Sequence, residues 1–242
     1  MMNHATEVSP QVYARIGGWL YLLIFIMAVA SMLLQSGIVV SGDAAATAAH
    51  LTASVNQWRL SIAADLVMFS CDIPLAALFF VLLRPVNAGL SLVSAGFRFA
   101  EAVIGLGIVM LYVAPLLLLG GAGYLEPVDP HQLQVLALLS IKAYDYAFGI
   151  ALIPFGIHCV LLGYLIFKST YLPKTLGVLM VLAGAAYVIN SFALFIAPAL
   201  TQVTFNAMLI TALPAELGIC LWLIVFGVNL TRWNERVRPA AA

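Results

Sequence analysis

Residues 60–83 read LSIAADLVMFSCDIPLAALFFVLL, 24 residues with two charged side chains. A helix needs roughly 20 residues to cross a hydrocarbon core of about 30 Å, and this run exceeds that length. Its only charged side chains are Asp65 and Asp72, seven positions apart and therefore on one helical face. Arg84-Pro85-Val86-Asn87 closes it, and a second apolar run, residues 90–119, begins directly after and ends at Gly120-Gly121-Ala122-Gly123. Two long apolar runs joined by a tight turn read as a membrane hairpin.

Working outward, further runs of spanning length occur at residues 17–40, 144–167, 176–196 and 205–230, the fourth with a helical extension back to Leu133. The expected fold is therefore all-α: a polytopic bundle of about six transmembrane helices in a single domain, residues 1–242. The composition agrees. Of 242 residues 64% are hydrophobic and 8% are charged, with a mean hydropathy of +1.09. Soluble domains carry about 25% charged residues to solvate their surface. So few charges leave much of this surface to lipid.

Orientation follows from the basic residues. With the N-terminus inside, Arg15, Arg84, Lys168, Lys174, Arg232, Arg236 and Arg238 fall on the cytosolic side and Arg59 alone outside. Both termini are expected to be cytosolic, in a bacterial inner membrane. The tail bearing Arg232, Arg236 and Arg238 reads as a membrane anchor. With a formal net charge of zero, nucleic acid is excluded as a partner; the bilayer itself is the expected one. Ala28-Val29-Ala30 resembles a signal-peptidase site, but the apolar run continues to Val40, so retention is expected.

The first external loop, DAAATAAHLTASVNQW from Asp43 to Trp58, should form a short amphipathic helix on the outer face, capped by Ser41 or Asp43 and ending at an interfacial Trp58. The fourth span carries Gly149, Gly156 and Gly163 and the fifth Gly177, Gly184 and Ser191, each at seven-residue spacing. Small residues so spaced let backbones approach, and these two faces are expected to meet. Pro74, Pro115, Pro154 and Pro214 each remove a helix hydrogen bond inside a span.

Asp65, Asp72, Arg98, Glu101, Asp145 and Glu216 fall inside the apolar runs, with Lys142 at an edge. A charge at the bilayer centre costs at least about 2.5–3.5 kcal/mol, so such groups should face inward, pair, or be neutral. At about 1.5 Å per residue, Asp72 and Glu101 lie near mid-depth, Asp65, Asn190 and Glu216 in the outer half, and His158 in the inner half. Together they would form a polar column. Arg98 has two reachable acids, Glu101 three residues on and Asp72 across the hairpin, and both pairings stay open. Either leaves one carboxylate without a cation. Lys142 and Asp145 should pair near the outer surface. Tyr144, Tyr146, Tyr164 and Tyr187 read as interface anchors, and His158 as a packing histidine or a relay to Glu101 or Glu216. The three cysteines, Cys71, Cys159 and Cys220, lie in apolar runs as buried thiols. No metal or cofactor motif is present: no Walker A loop, HExxH, GxSxG or dinucleotide fingerprint.

Several longer stretches carry a family likeness. FGIHCVLLGYLIFKSTYLPKTLGVLMVLAGAAYVINSFALF (Phe155 to Phe195), PAELGICLWLIVFGV (Pro214 to Val228), ARIGGWLYL, GDAAATAAHL and LLRPVNAGLSLVSAGFRFAEA follow one another in a specific order. Together they resemble the bacterial membrane family catalogued as domain of unknown function 4386, over nearly the whole chain. The resemblance implies a single membrane domain, draws attention to Arg98, Glu101, His158 and Glu216, and supplies no activity. The leading expectation is binding or translocation of a small solute or protons, with Asp65, Asp72, Glu101, Asn190 and Glu216 lining a cavity and Arg98 fixing their geometry. Six spans is small for a transporter, which suits a homodimer. Two other readings stay open: an intramembrane enzyme acting on a lipid or quinone, with Glu101 or Glu216 as acid/base, and a sensor or accessory subunit without chemistry.

Overall fold

The computed structural model describes residues 9–237, and Arg238 of the basic tail lies outside them. Among these residues there is no strand. Nine α-helices follow one another: α1 Pro10–Gln35, α2 Ala44–Ala53, α3 Val55–Leu83, α4 Ala88–Ile108, α5 Met110–Leu118, α6 Pro130–Ser169, α7 Lys174–Ile196, α8 Thr201–Val225 and α9 Leu230–Val237. Six segments are long and apolar enough to cross a membrane: α1, α3, α4 with α5, α6, α7, and α8 with the 3-10 turn Pro198–Leu200 before it.

The spans differ from the sequence expectation mainly at their ends. The first stops at Gln35 rather than Val40, because Gly37 takes a left-handed φ of +78° and the next residues tie to α2. The Val40 amide donates to Thr47 Oγ1 (3.0 Å), and His50 Nδ1 lies 3.1 Å from the Gly37 carbonyl. The fourth span reaches back past Leu133 to Pro130. The sixth ends at Val225 rather than Leu230. There Gly227, with φ +67°, lets its own amide reach back to the Trp222 carbonyl (3.0 Å) in a left-handed helix stop. Gln11 clamps this stop, donating from Nε2 to the Phe226 carbonyl (2.9 Å) and accepting from the Val228 amide (3.0 Å). Within the basic tail Leu230–Val237 form α9, begun by Asn229, whose Oδ1 accepts the Arg232 amide (3.1 Å).

Packing groups the described residues into two compact units. The first lies within Met1–Leu22, Cys71–Glu101 and Leu152–Ala242, the second within Leu23–Ser70 and Ala102–Ala151. The division cuts through α1, α3, α4 and α6. In α3 and α6 it falls just before Pro74 and Pro154, where a ring nitrogen cannot complete the helix ladder.

In the first unit α6 and α7 touch backbone to backbone. A Cβ on Gly156 would stand 2.8 Å from the Gly184 carbonyl, and one on Gly163 2.5 Å from the Gly177 carbonyl; the reciprocal positions are as tight. The expected meeting of these faces is found at Gly156 with Gly184 and at Gly163 with Gly177. Gly18 of α1 admits Ile224 of α8 in the same way.

The second unit is organised by aromatic rings. Tyr112 stacks on Tyr144 (centroids 3.7 Å), Tyr144 runs parallel to Phe148 (6.1 Å), and Phe69 fills the space where Gly105 has no side chain. The helix expected from Asp43 to Trp58 is the shorter α2, since Val55 to Trp58 already belong to α3, and Asp43, not Ser41, caps it by accepting the Ala46 amide (2.8 Å). Trp58 does not mark an interface. It is fully buried and donates from Nε1 to the Tyr112 carbonyl (2.8 Å).

Candidate functional site

Of the residues singled out by sequence, Asp72, Arg98, Glu101, His158, Asn190 and Glu216 all belong to the first unit, and Asp65 to the second. Within the first unit the polar groups gather on Arg98. Its guanidinium is fully buried, an uncommon place for an arginine, and is held from several sides. Nη2 pairs with Asp72 Oδ1, which settles the choice between Asp72 and Glu101 as its ion-pair partner. Nη1 lies 3.3 Å from His158 Nε2. The Tyr21, Phe155 and Phe79 rings surround the guanidinium carbon at 5.0, 5.3 and 6.0 Å. Negative ring faces suit a desolvated cation, and Arg98 uses three of them.

His158 is fixed by its other nitrogen. Nδ1 lies 2.9 Å from the Ser94 carbonyl and 3.0 Å from the Ser94 hydroxyl. A carbonyl only accepts, so Nδ1 carries the hydrogen. Nε2 then offers its lone pair to the arginine. The side chain orients Arg98 and makes no hydrogen bond to Glu101 or Glu216, the relay partners considered from sequence.

Glu216 is buried and both its oxygens are used. Tyr21 donates to Oε2 (3.0 Å) and Tyr187 to Oε1 (2.5 Å). Tyr21 thus joins the two sites, its ring against Arg98 and its hydroxyl on Glu216. Glu101 is buried within the electrostatic reach of Asp72, Arg98 and Glu216, and its Oε2 has no hydrogen-bond partner. Asn190 lies on α7 and accepts from Thr204 of α8 (2.9 Å). In the second unit Asp65 accepts from Tyr144 (3.3 Å) and bonds Ser31, and Lys142 pairs with Asp145 at 3.5 Å, as their spacing implied.

Charge counting then limits the chemistry. In the first unit Asp72 and Arg98 neutralise each other, leaving Glu101 and Glu216 buried with no cation of their own among the described residues, and in the second unit Asp65 is buried without one as well. Each must hold a proton or meet a mobile cation, because an unpaired buried charge costs several kcal/mol.

A family model described as domain of unknown function (DUF4386) matches residues 16–227. The chain belongs to the DUF4386 family. That span takes in every member of the cluster, from Tyr21 to Glu216. The chain is also 29% identical over 171 residues to an uncharacterised protein of Archaeoglobus fulgidus, covering 71% of this chain and 86% of the relative. No solved structure matches.

Three partners of the site were not singled out by sequence. Ser94 and Tyr21 were passed over, and Tyr187 was read, with Tyr144, as an interface anchor. Both Tyr187 and Tyr144 instead donate to buried carboxylates. A signal existed: a tyrosine well inside an apolar span needs an acceptor for its hydroxyl. Tyr187→Phe is expected to leave one Glu216 oxygen unsatisfied and to cost about 1–3 kcal/mol. Unfolding of the purified variant in detergent against wild type reads this directly.

Proposed function

We propose that this DUF4386 protein binds a proton or a small cationic solute at Glu101 and Glu216 and passes it across a bacterial inner membrane. The observation that carries this reading is the count of three buried carboxyl groups around one guanidinium. Arg98 is committed to Asp72 and His158, so the two glutamates are the groups left to exchange a positive charge. Two prolines inside continuous helices lie beside the acids. Pro74 follows Asp72 by two residues and Pro214 precedes Glu216 by two, the placing that ion sites in transporters use. Both termini are assigned to the cytosol on the positive-inside bias, and α2 to the outer surface.

Liposomes holding a trapped pH dye test the proposal. After an imposed pH step, wild-type vesicles should equilibrate about tenfold faster than vesicles with Glu216→Gln or Glu101→Gln, with sodium or potassium gradients as a second arm. Equal rates in all arms would remove the basis for translocation.

A further inference from the structure

A second polar feature of the first unit lies apart from the carboxylate cluster, where α3 ends and α4 begins. A cavity of about 500 Å³ is lined by Tyr13, Val81, Arg84, Ala88, Trp233 and Arg236, among others. Arg84 follows the last residue of α3 and Arg236 lies in the last turn of α9, so the two come from distant parts of the chain. Neither forms an ion pair with a carboxylate among the described residues.

The wall that carries Arg236 is firmly built. Trp233 is buried with its ring edge-on to Tyr171 (4.9 Å), and the Tyr171 hydroxyl donates to the Leu82 carbonyl (2.6 Å). The Asn229 amide donates to the Tyr171 carbonyl (3.2 Å), tying the start of α9 to the loop between α6 and α7. Burial raises the Tyr171 phenol above its ordinary value while the positive charge of Arg236 opposes that shift. Two arginines line one cavity that holds no acid among the described residues, which favours an anion, and planar forks suit phosphate oxygens better than a point charge does. Val81, Ala88 and Trp233 make the rest of the wall apolar, and the cavity sits at the end of apolar spans, where a bilayer places its headgroups.

We propose that this cavity holds the phosphate of an anionic phospholipid, gripped by Arg84 and Arg236, with the glycerol and upper acyl chain against Val81 and Ala88. The site accounts for α9: the C-terminal basic segment is folded so that one arginine reaches a lipid headgroup.

Native mass spectrometry of the purified full-length chain, released from detergent after exposure to phosphatidylglycerol or phosphatidylcholine, tests this. Wild type should retain phosphatidylglycerol preferentially. The double variant Arg84→Gln, Arg236→Gln should retain it about tenfold less. Arg232→Gln, on the same helix but not lining the cavity, should behave as wild type. Ala88→Trp fills the cavity and leaves both arginines in place; it should also lose the lipid, and decides the matter if the double variant does not fold. Retention unchanged in Ala88→Trp, a loss in Arg232→Gln equal to that of the double variant, or displacement of the lipid by millimolar inorganic phosphate would each overturn the proposal.

Discussion

Asp72→Asn is expected to destabilise the protein by about 3–5 kcal/mol. The substitution keeps the shape of the side chain and removes its charge. Arg98 would then stay fully buried with its cation uncompensated, since His158 offers only a neutral nitrogen and the three rings only their quadrupoles. The neighbouring carboxyl of Glu101 lies within electrostatic reach of the guanidinium, but its Oε2 makes no hydrogen bond to it. Removing both partners has a different consequence. Asp72→Leu with Arg98→Met replaces an ion pair by apolar groups of comparable volume and should recover most of the lost stability. Unfolding of the two single variants and the double variant in detergent closes the cycle. A loss below about 1 kcal/mol for Asp72→Asn would mean that Arg98 finds water or another acid.

The second large effect belongs to the α6–α7 seam. Gly163→Ala places a methyl group 2.5 Å from the Gly177 carbonyl and 2.7 Å from the Val181 amide nitrogen, both backbone atoms that no rotamer change can move. Gly184→Ala meets the Gly156 carbonyl at 2.5 Å and the Val160 amide nitrogen at 2.7 Å. Each should cost about 1–3 kcal/mol through forced separation of the helices, and the pair more than either. Gly96, whose Cβ would enter open space, provides the control: Gly96→Ala should be neutral or mildly stabilising. Thermal unfolding of the set distinguishes a packed glycine seam from a general effect of glycine in helices, because only the former separates Gly163 and Gly184 from Gly96.

The six spans were legible because hydrocarbon selects by length and apolarity, and both are local properties of the chain. Their ends were not. Val40 was read as membrane because it is apolar, yet its amide is held by Thr47, a contact that belongs to the fold of α2. The tail was read by charge alone, and α9 was missed because its ordering rests on Trp233 meeting Tyr171, residues far apart in sequence. Within the site, the tight hairpin put Asp72 within reach of Arg98, but Glu101 three residues on was an equal choice in sequence, and only the structure selects Asp72. The tyrosines could not be matched, since Tyr21, Tyr187 and Glu216 stand on three helices whose rotation no local pattern fixes. The premise that charges at depth must gather agrees with Asp72, Arg98, Glu101, His158 and Glu216 sharing one unit, but it also placed Asp65 in the same column, and Asp65 belongs to the second unit. It did not foresee that aromatic hydroxyls and ring faces would carry so much of the compensation.

Infrared difference spectroscopy of the protein in lipid, Glu216→Gln subtracted from wild type, tests most directly whether the glutamates carry exchangeable positive charge. The difference should contain either a carboxylic-acid stretch or a carboxylate band that shifts when sodium and potassium are withdrawn, and Glu101→Gln should give a band of the same kind. A carboxylate band in both differences that responds to neither cations nor pH would contradict this.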